Sequence, residues 1–167
     1  MTSSVRPISQ SKLSSKPNLA ASHLLPLTLA QLDRLQADTL MVGIHQDVRP
    51  LKGAAGFIDW RLCGEISNLL RNQSFHGEPG EVLLISGRGR LPAIRIFLMG
   101  WGPVKASVIE CQKRCEQMVR SIEMAGAHKV AIALPEPCEA LITPAESMLK
   151  ERLGSRFEGI FAPEGQI

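Results

Sequence analysis

The chain has 167 residues, a hydrophobic content of 44% and a formal net charge of +3. This length fits one domain, the composition can supply a buried core, and no stretch reaches the roughly 18 consecutive apolar residues of a membrane span. Removing Arg6, Lys12 and Lys16 from the 19 basic residues leaves 16, equal to the 16 acidic residues. Nucleic-acid-binding domains concentrate positive charge on their folded surface, so this balance disfavours nucleic acid as a partner.

Residues 1–24 are rich in serine, lysine and proline and have no apolar period, a composition typical of disorder. We therefore predict a disordered basic tail over 1–24 and a single domain over 25–167. No continuous apolar segment follows the first charges, so a secretory signal is not expected. The four cysteines form no CxxC pair. They predict buried free thiols, no metal site and a reducing, cytoplasmic location.

The first half of the predicted domain alternates short apolar runs with turns. Leu27–Ala30 is either a short strand or the opening of a helical turn. Thr39–Ile44 is a continuous apolar run, as expected of a strand covered on both faces. After it, residues 52–72 have apolar positions at helical spacing. They predict two short helices that are interrupted around Gly64.

Two further apolar runs, Glu81–Ser86 and Ala93–Met99, predict a pair of strands. The connection between them is short and rich in glycine, which favours a hairpin and hence antiparallel pairing.

A long amphipathic segment follows this pair. It predicts a helix that begins at Pro103 and ends at Gly126. Glu110 and Arg114 are spaced as an i,i+4 ion pair on the solvent side of this helix.

The last third predicts a strand at Lys129–Leu134, a helix and a final strand at Phe157–Phe161. Thr143 and Glu146 have the spacing of a capping box, and the helix that they open ends near Gly154. Strands and helices thus alternate over most of the chain. This order predicts a mixed sheet with helices on both faces.

The run Gly53, Ala54, Ala55 and Gly56 is the best candidate for a ligand site. It follows a buried strand and opens a helix, where free backbone N–H groups favour anions. Small residues at this place also let a helix pack closely on a sheet, and both alternatives stay open. Neither G-x-G segment completes a dinucleotide or phosphate-loop signature, so no cofactor is predicted.

Other candidates have a simpler interpretation. His45 follows a strand, where α/β proteins often bind ligands, but a solvated loop histidine is favoured. Arg88 and Arg90 near a hairpin tip could meet a phosphate or a carboxylate, or remain exposed. Trp60 and Trp101 are expected in the core or at an interface.

Two long segments carry a family resemblance. ADTLMVGIHQDVRPLKGAAGFIDWRLCGEISNLL and then GEVLLISGRGRLPAIRIFLMGWGP resemble the N-terminal domain of leucyl aminopeptidases over about residues 25–162. The resemblance implies a three-layer α/β/α sandwich, akin to macro domains, with a mixed, mostly parallel sheet.

In that family the two-metal site lies in a separate C-terminal domain with an N-T-D-A-E-G-R signature, which this sequence lacks. We therefore expect a free-standing, non-catalytic assembly or regulatory domain without aminopeptidase activity or bound metal. Self-association or a protein partner is expected, with no membrane.

The similarity to macro domains implies an alternative, the binding of ADP-ribose or a related nucleotide. Asp38 would then meet adenine, and Gly53–Gly56 would meet the diphosphate. The sequence has Gly43-Ile44-His45-Gln46 where macro domains usually have Asn-Ala-Ala-Asn. DNA binding, known for some bacterial family members, is the third hypothesis.

Overall fold

A computed structural model of the chain describes residues 23–163. Within this range the strands are β1 (Leu24–Pro26), β2 (Thr39–His45), β3 (Val82–Ser86), β4 (Arg95–Gly102), β5 (Val130–Ala133) and β6 (Phe157–Ala162). The helices are α1 (Leu29–Asp33), α2 (Gly53–Arg61), α3 (Glu65–Arg71), α4 (Val108–Met124) and α5 (Ile142–Leu153). None of these helices is long and apolar enough to cross a membrane.

The strands form one sheet in the order β1-β6-β5-β2-β4-β3. All neighbours run parallel except β3, which is antiparallel to β4. The predicted hairpin and the mixed, mostly parallel sheet are therefore confirmed. β2 lies at the centre of the sheet and is buried along its whole length, which explains its continuous apolar sequence.

Helices cover both faces of this sheet. Leu40, Val42 and Ile44 of β2 pack with residues of α2 and α3 on one face. Met41 packs with residues of α4 and α5 on the other. Because alternate residues of a strand point to opposite faces, one apolar run contributes to both cores. The expected three layers are present.

The chain enters the sheet at Leu24, one residue before the predicted boundary. Residues 1–22 of the predicted tail lie outside the described residues. Leu27–Ala30 is not a strand, because Thr28 caps α1 by accepting a hydrogen bond from the N–H of Gln31 at 3.1 Å. This side chain satisfies one of the free N–H groups at the helix start and so decides between the two alternatives.

The start of α4 differs from the prediction. The helix begins at Val108 rather than at Pro103, because Ser107 and Glu110 form a capping box. The N–H of Ser107 donates to Oε2 of Glu110 at 2.7 Å. This S-x-x-E pattern is visible in the sequence and was the better signal of the helix start.

The predicted capping box at Thr143 is wrong. α5 begins at Ile142, so Thr143 is its second residue rather than its N-cap, and the helix has no side-chain cap. A 3₁₀ turn at Glu139–Leu141 leads directly into it. Leu141 and Ile142 are both buried, so apolar burial at this point favours a helix that already includes Thr143.

Candidate functional site

The carboxyl ends of β2 and β4 lie side by side, with His45 paired to Gly102. Open α/β sheets bind ligands beyond the carboxyl ends of their strands, and α2 begins next to this edge. His45 is the last residue of β2 and is buried. The prediction of a solvated loop histidine is therefore wrong.

The ring of His45 is held by the backbone of β4. Its Nδ1 lies 3.0 Å from the carbonyl oxygen of Gly102. Because a carbonyl only accepts, Nδ1 donates, and Nε2 of the neutral ring is an acceptor. Burial lowers the pKa of His45 and the charge of Arg114 adds to this, while the Gly102 hydrogen bond and Asp47 oppose it only in part. The neutral ring is thereby favoured at pH 7.

Arg114 of α4 is only 5% exposed, so its predicted place on the solvent side is wrong. Its Nη2 would lie 3.1 Å from a β-carbon on Gly102, which shows that the guanidinium packs against the end of β4. Glu110, the predicted ion-pair partner, accepts hydrogen bonds from Ser107 instead. Glu110 makes no ion pair with Arg114, although the Ser107 hydrogen bonds lower the pKa of Glu110 and the charge of Arg114 adds to this.

Three buried polar atoms around Gly102 lack a hydrogen-bond partner within the described chain. They are Nε2 of His45, Nε1 of Trp101 and Nη1 of Arg114. Two of the atoms are donors, and the third is an acceptor in the neutral histidine. A buried guanidinium that lacks a hydrogen-bond acceptor is costly, so we expect Arg114 to lower the stability of the fold unless a group outside the described chain pairs with its Nη1.

The predicted glycine run lies at the start of α2, where Gly53 adopts a φ of +55°. Ala54 and Ala55 are buried in the core between this helix and the sheet. The side chain of Glu136 rests against Gly53, since a β-carbon there would lie 2.6 Å from its Cδ. The chain thus places its own carboxyl group at the helix start, and binding of an external anion there stays a prediction.

Asp38 lies just before the amino end of β2, whereas Gly53 follows its carboxyl end. The seven residues of β2 separate the two by about 20 Å, so they do not form one site. Asp38 accepts a hydrogen bond from the Thr39 hydroxyl at 2.6 Å and faces Arg95 at 3.5 Å. Burial opposes ionisation of Asp38, but these contacts and a bond from the N–H of Lys129 outweigh it and lower the pKa.

The space beside the glycine run is nearly filled. One cavity of about 10 Å³ includes His45 and Glu136 in its lining, and a neighbouring one of about 20 Å³ includes Ala54. Each holds about one water molecule, whereas a pocket for a drug-sized ligand measures about 300–1,000 Å³. Pro135 fills part of this space by packing directly on β2. A β-carbon on Gly43 would overlap the Cδ of Pro135.

A surface groove lies beside α2 and α3 and has a volume of about 630 Å³. We call it the Trp60 groove; its lining is Pro50, Leu51, Gly56, Asp59, Trp60, Arg61, Cys63, Gly64 and Ser67. Trp60 is 63% exposed, and the Arg61 guanidinium stacks 5.1 Å from the centre of its ring. Arg61 in turn pairs with Asp33. Trp60 is one of the residues predicted for the core or an interface, whereas no local sequence pattern predicts the groove.

Trp101, by contrast, is fully buried in the core. All four cysteines are free, and Cys111, Cys115 and Cys138 are buried as predicted. Cys63 is exposed, so the prediction of a buried thiol is wrong there. Burial, together with the nearby Cys111 and Glu116, raises the pKa of Cys115 to about 12. Within residues 23–163 no three His, Cys, Asp or Glu side chains are grouped to hold a metal ion.

Comparison with solved structures agrees with this architecture. A macrodomain of Mycobacterium tuberculosis DarG superposes with a TM-score of 0.62 at 12% identity, over 86% of this chain and 100% of that one. A tomato leucine aminopeptidase variant superposes with a TM-score of 0.54 at 16% identity, over 86% of this chain and 32% of that one. At these identities the likeness shows the fold alone.

Sequence comparison is more specific. A probable cytosol aminopeptidase of Alkaliphilus oremlandii is 30% identical over 105 residues, which are 61% of this chain and 21% of the relative. One from Alkaliphilus metalliredigens is 34% identical over 76 residues, 46% of this chain and 15% of the relative. The chain thus spans about a fifth or less of the length of these relatives. The model of the N-terminal domain of the cytosol aminopeptidase family matches residues 41–149. The chain therefore belongs to the cytosol aminopeptidase family, which it matches through that family's N-terminal domain.

Proposed function

We propose that this domain is a non-catalytic assembly module that binds a protein partner through the Trp60 groove. The observation that carries the proposal is the exposure of Trp60 at the rim of this groove. Tryptophan and arginine are the residues most enriched at the energetic centres of protein interfaces. Trp101 is fully buried, so Trp60 is the tryptophan that a partner can contact.

The groove is well suited to rigid docking. Asp33 holds Arg61, and Arg61 stacks on Trp60, so the aromatic ring is fixed before a partner arrives. Asp59 links α2 to α3 by accepting hydrogen bonds from the hydroxyl and N–H of Ser67, at 2.5 and 3.1 Å. Ordering side chains in advance lowers the entropic cost of association.

Trp60→Ala tests this proposal. The full chain, tagged, captures its partner from an extract of its source organism, and the affinity for the identified partner is then measured by calorimetry. We expect the alanine variant to bind at least tenfold more weakly, because a buried aromatic anchor carries much of an interface's energy. Met124→Ala is the control, since Met124 is an exposed apolar residue far along α4. Unchanged affinity of the Trp60 variant would refute the role of the groove.

The geometry argues against the alternative, ADP-ribose binding. The fold is that of macrodomains, but Pro135 and Glu136 fill the space beside the glycine run. We expect titration with ADP-ribose to give no heat and no thermal stabilisation. Micromolar binding would overturn this and move the domain to the nucleotide readers. DNA binding has less support, because Arg88 already pairs with Glu65 at 3.1 Å.

A further inference from the structure

The outer edge of β3 is unpaired within the described chain, because β3 is the last strand of the sheet. The N–H of Gly100 donates to the carbonyl of Glu81, and that of Gly87 to Ile94. Hydrogen-bonded residues alternate along an antiparallel pair, so the odd-numbered residues of β3 face β4. The N–H and C=O groups of Val82, Leu84 and Ser86 therefore point away from the sheet.

This edge lacks the features that usually prevent strand pairing. Val82–Ser86 contains no charged residue, proline or glycine, whereas exposed edges are commonly protected by such residues or by bulges. Val82 and Leu84 are 42% and 52% exposed. The strand thus offers free backbone groups and an apolar surface together.

The reason for this exposure is the path of α4. At one end Arg114 packs against Gly102, and at the other the Arg95 guanidinium donates to the carbonyl of Ala125 at 3.2 Å. The helix therefore runs along β4. Leu84 lies on the same face as Phe97, its neighbour on β4, but one strand further out. This leaves its side chain uncovered.

The two ends of β3 carry opposite charges. Glu78 and Glu81 precede the strand, and Arg88 and Arg90 follow it. In an antiparallel pair of two copies centred on Leu84, each acidic end meets the basic end of the other copy. Glu78 and Arg90 lie in the turns on either side of the strand, where Gly80, Arg88 and Gly89 have positive φ and the N–H of Arg90 donates to the carbonyl of Gly87. The complementarity is therefore between the two oppositely charged ends, and attraction between opposite charges favours this antiparallel direction.

We propose that β3 pairs antiparallel with β3 of a second copy of this chain, which joins the two sheets into one. Three outward residues per strand supply six interstrand hydrogen bonds, and the two Leu84 side chains meet beside Phe97. The reversed order of charges favours a second copy over an unrelated strand. This inference rests on the proposed assembly function but uses a different surface.

Sedimentation velocity on the full chain, from about 1 to about 200 µM, tests the pairing. We expect a reversible dimer, which Leu84→Lys converts into a monomer, because a lysine at the centre of an edge strand opposes pairing. Ile109→Lys is the matched control, since Ile109 is an equally apolar, exposed residue of α4, and it should remain dimeric. A monomeric wild type over the whole range would overturn the inference.

Charge reversal tests the antiparallel direction of the pairing and does not depend on Leu84. Arg90→Glu and Glu78→Arg should each weaken the dimer about tenfold, and the double variant should restore it, because the ends that meet then carry opposite charges again. Failure of the double variant to restore the dimer would refute this direction. A dimer that neither Leu84→Lys nor charge reversal affects would refute pairing through β3 while leaving the proposed assembly function intact. The effect of Trp60→Ala on the affinity for the protein partner is measured by calorimetry, independently of dimerisation.

Discussion

Gly100→Ala should lower the free energy of unfolding by about 3–5 kcal/mol, the largest effect that we expect from a single added methyl group. The new β-carbon would overlap the carbonyl oxygen of Glu78 and lie 2.7 Å from the carbonyl carbon of Gly77. Overpacking usually costs about 1–3 kcal/mol and more where the neighbours cannot move. Here they are backbone atoms, and the Gly77 carbonyl accepts a hydrogen bond from Gly102 at 2.8 Å.

Urea denaturation of the wild type, of Gly100→Ala and of a control variant measures this loss of free energy of unfolding. Gly89→Ala is the control, because no atom lies within 4 Å of the Gly89 β-carbon position, although Gly89, unlike Gly100, has a positive φ. It should lose only the about 1–2 kcal/mol of a left-handed backbone conformation. If Gly100→Ala cost no more than this control, the loop before β3 would not lie against β4 as described.

Arg114→Met should raise the free energy of unfolding by about 1–3 kcal/mol. Replacing a buried charged group by an apolar chain of similar volume is often neutral or stabilising, and this guanidinium has an Nη1 without an acceptor in the described chain. Arg120→Met is the control, since Arg120 lies exposed on the same helix, and its effect should be within about 0.5 kcal/mol of zero. A loss of more than about 1 kcal/mol in Arg114→Met would show instead that the cation is paired.

The same variant should change the titration of His45. Its pKa is lowered in the folded protein, so acidification below the ordinary value of about 6.5 protonates the unfolded chain first. The contribution of His45 to stability is therefore present above that pH and is lost as the pH falls towards its folded pKa. Without the charge of Arg114 this pKa should rise, although burial remains the larger cause. NMR titration of the His45 ring measures the shift, and an unchanged pKa would contradict it.

Local patterns predicted the elements well where burial and backbone chemistry agree. The apolar run of β2, the glycine-rich connection before β4 and the break at Gly64 each have one physical explanation, and the structure confirms all three. The helix starts were harder. Ser107 and Thr143 both open an S/T-x-x-E pattern, and only the packing of Leu141 and Ile142 excludes the second.

The candidate site was less predictable, because its parts come from distant segments. Asp38 and Gly53 were placed together by resemblance, yet β2 lies between them. Arg114 has the spacing of a surface ion pair but faces the end of β4. Spacing along one helix says which residues share a face, but not which way that face points when a sheet lies beneath it.

By itself, then, the sequence determined the order of strands and helices, the mixed sheet and the family resemblance, since these depend on local periodicity and on a pattern spread over the whole chain. Only the tertiary structure decided that Pro135 and Glu136 fill the space beside α2, that Trp60 lies exposed while Trp101 is buried, and that β3 ends the sheet. The physical reason is that each depends on which distant segments become neighbours when the sheet forms, and a local pattern does not encode those contacts.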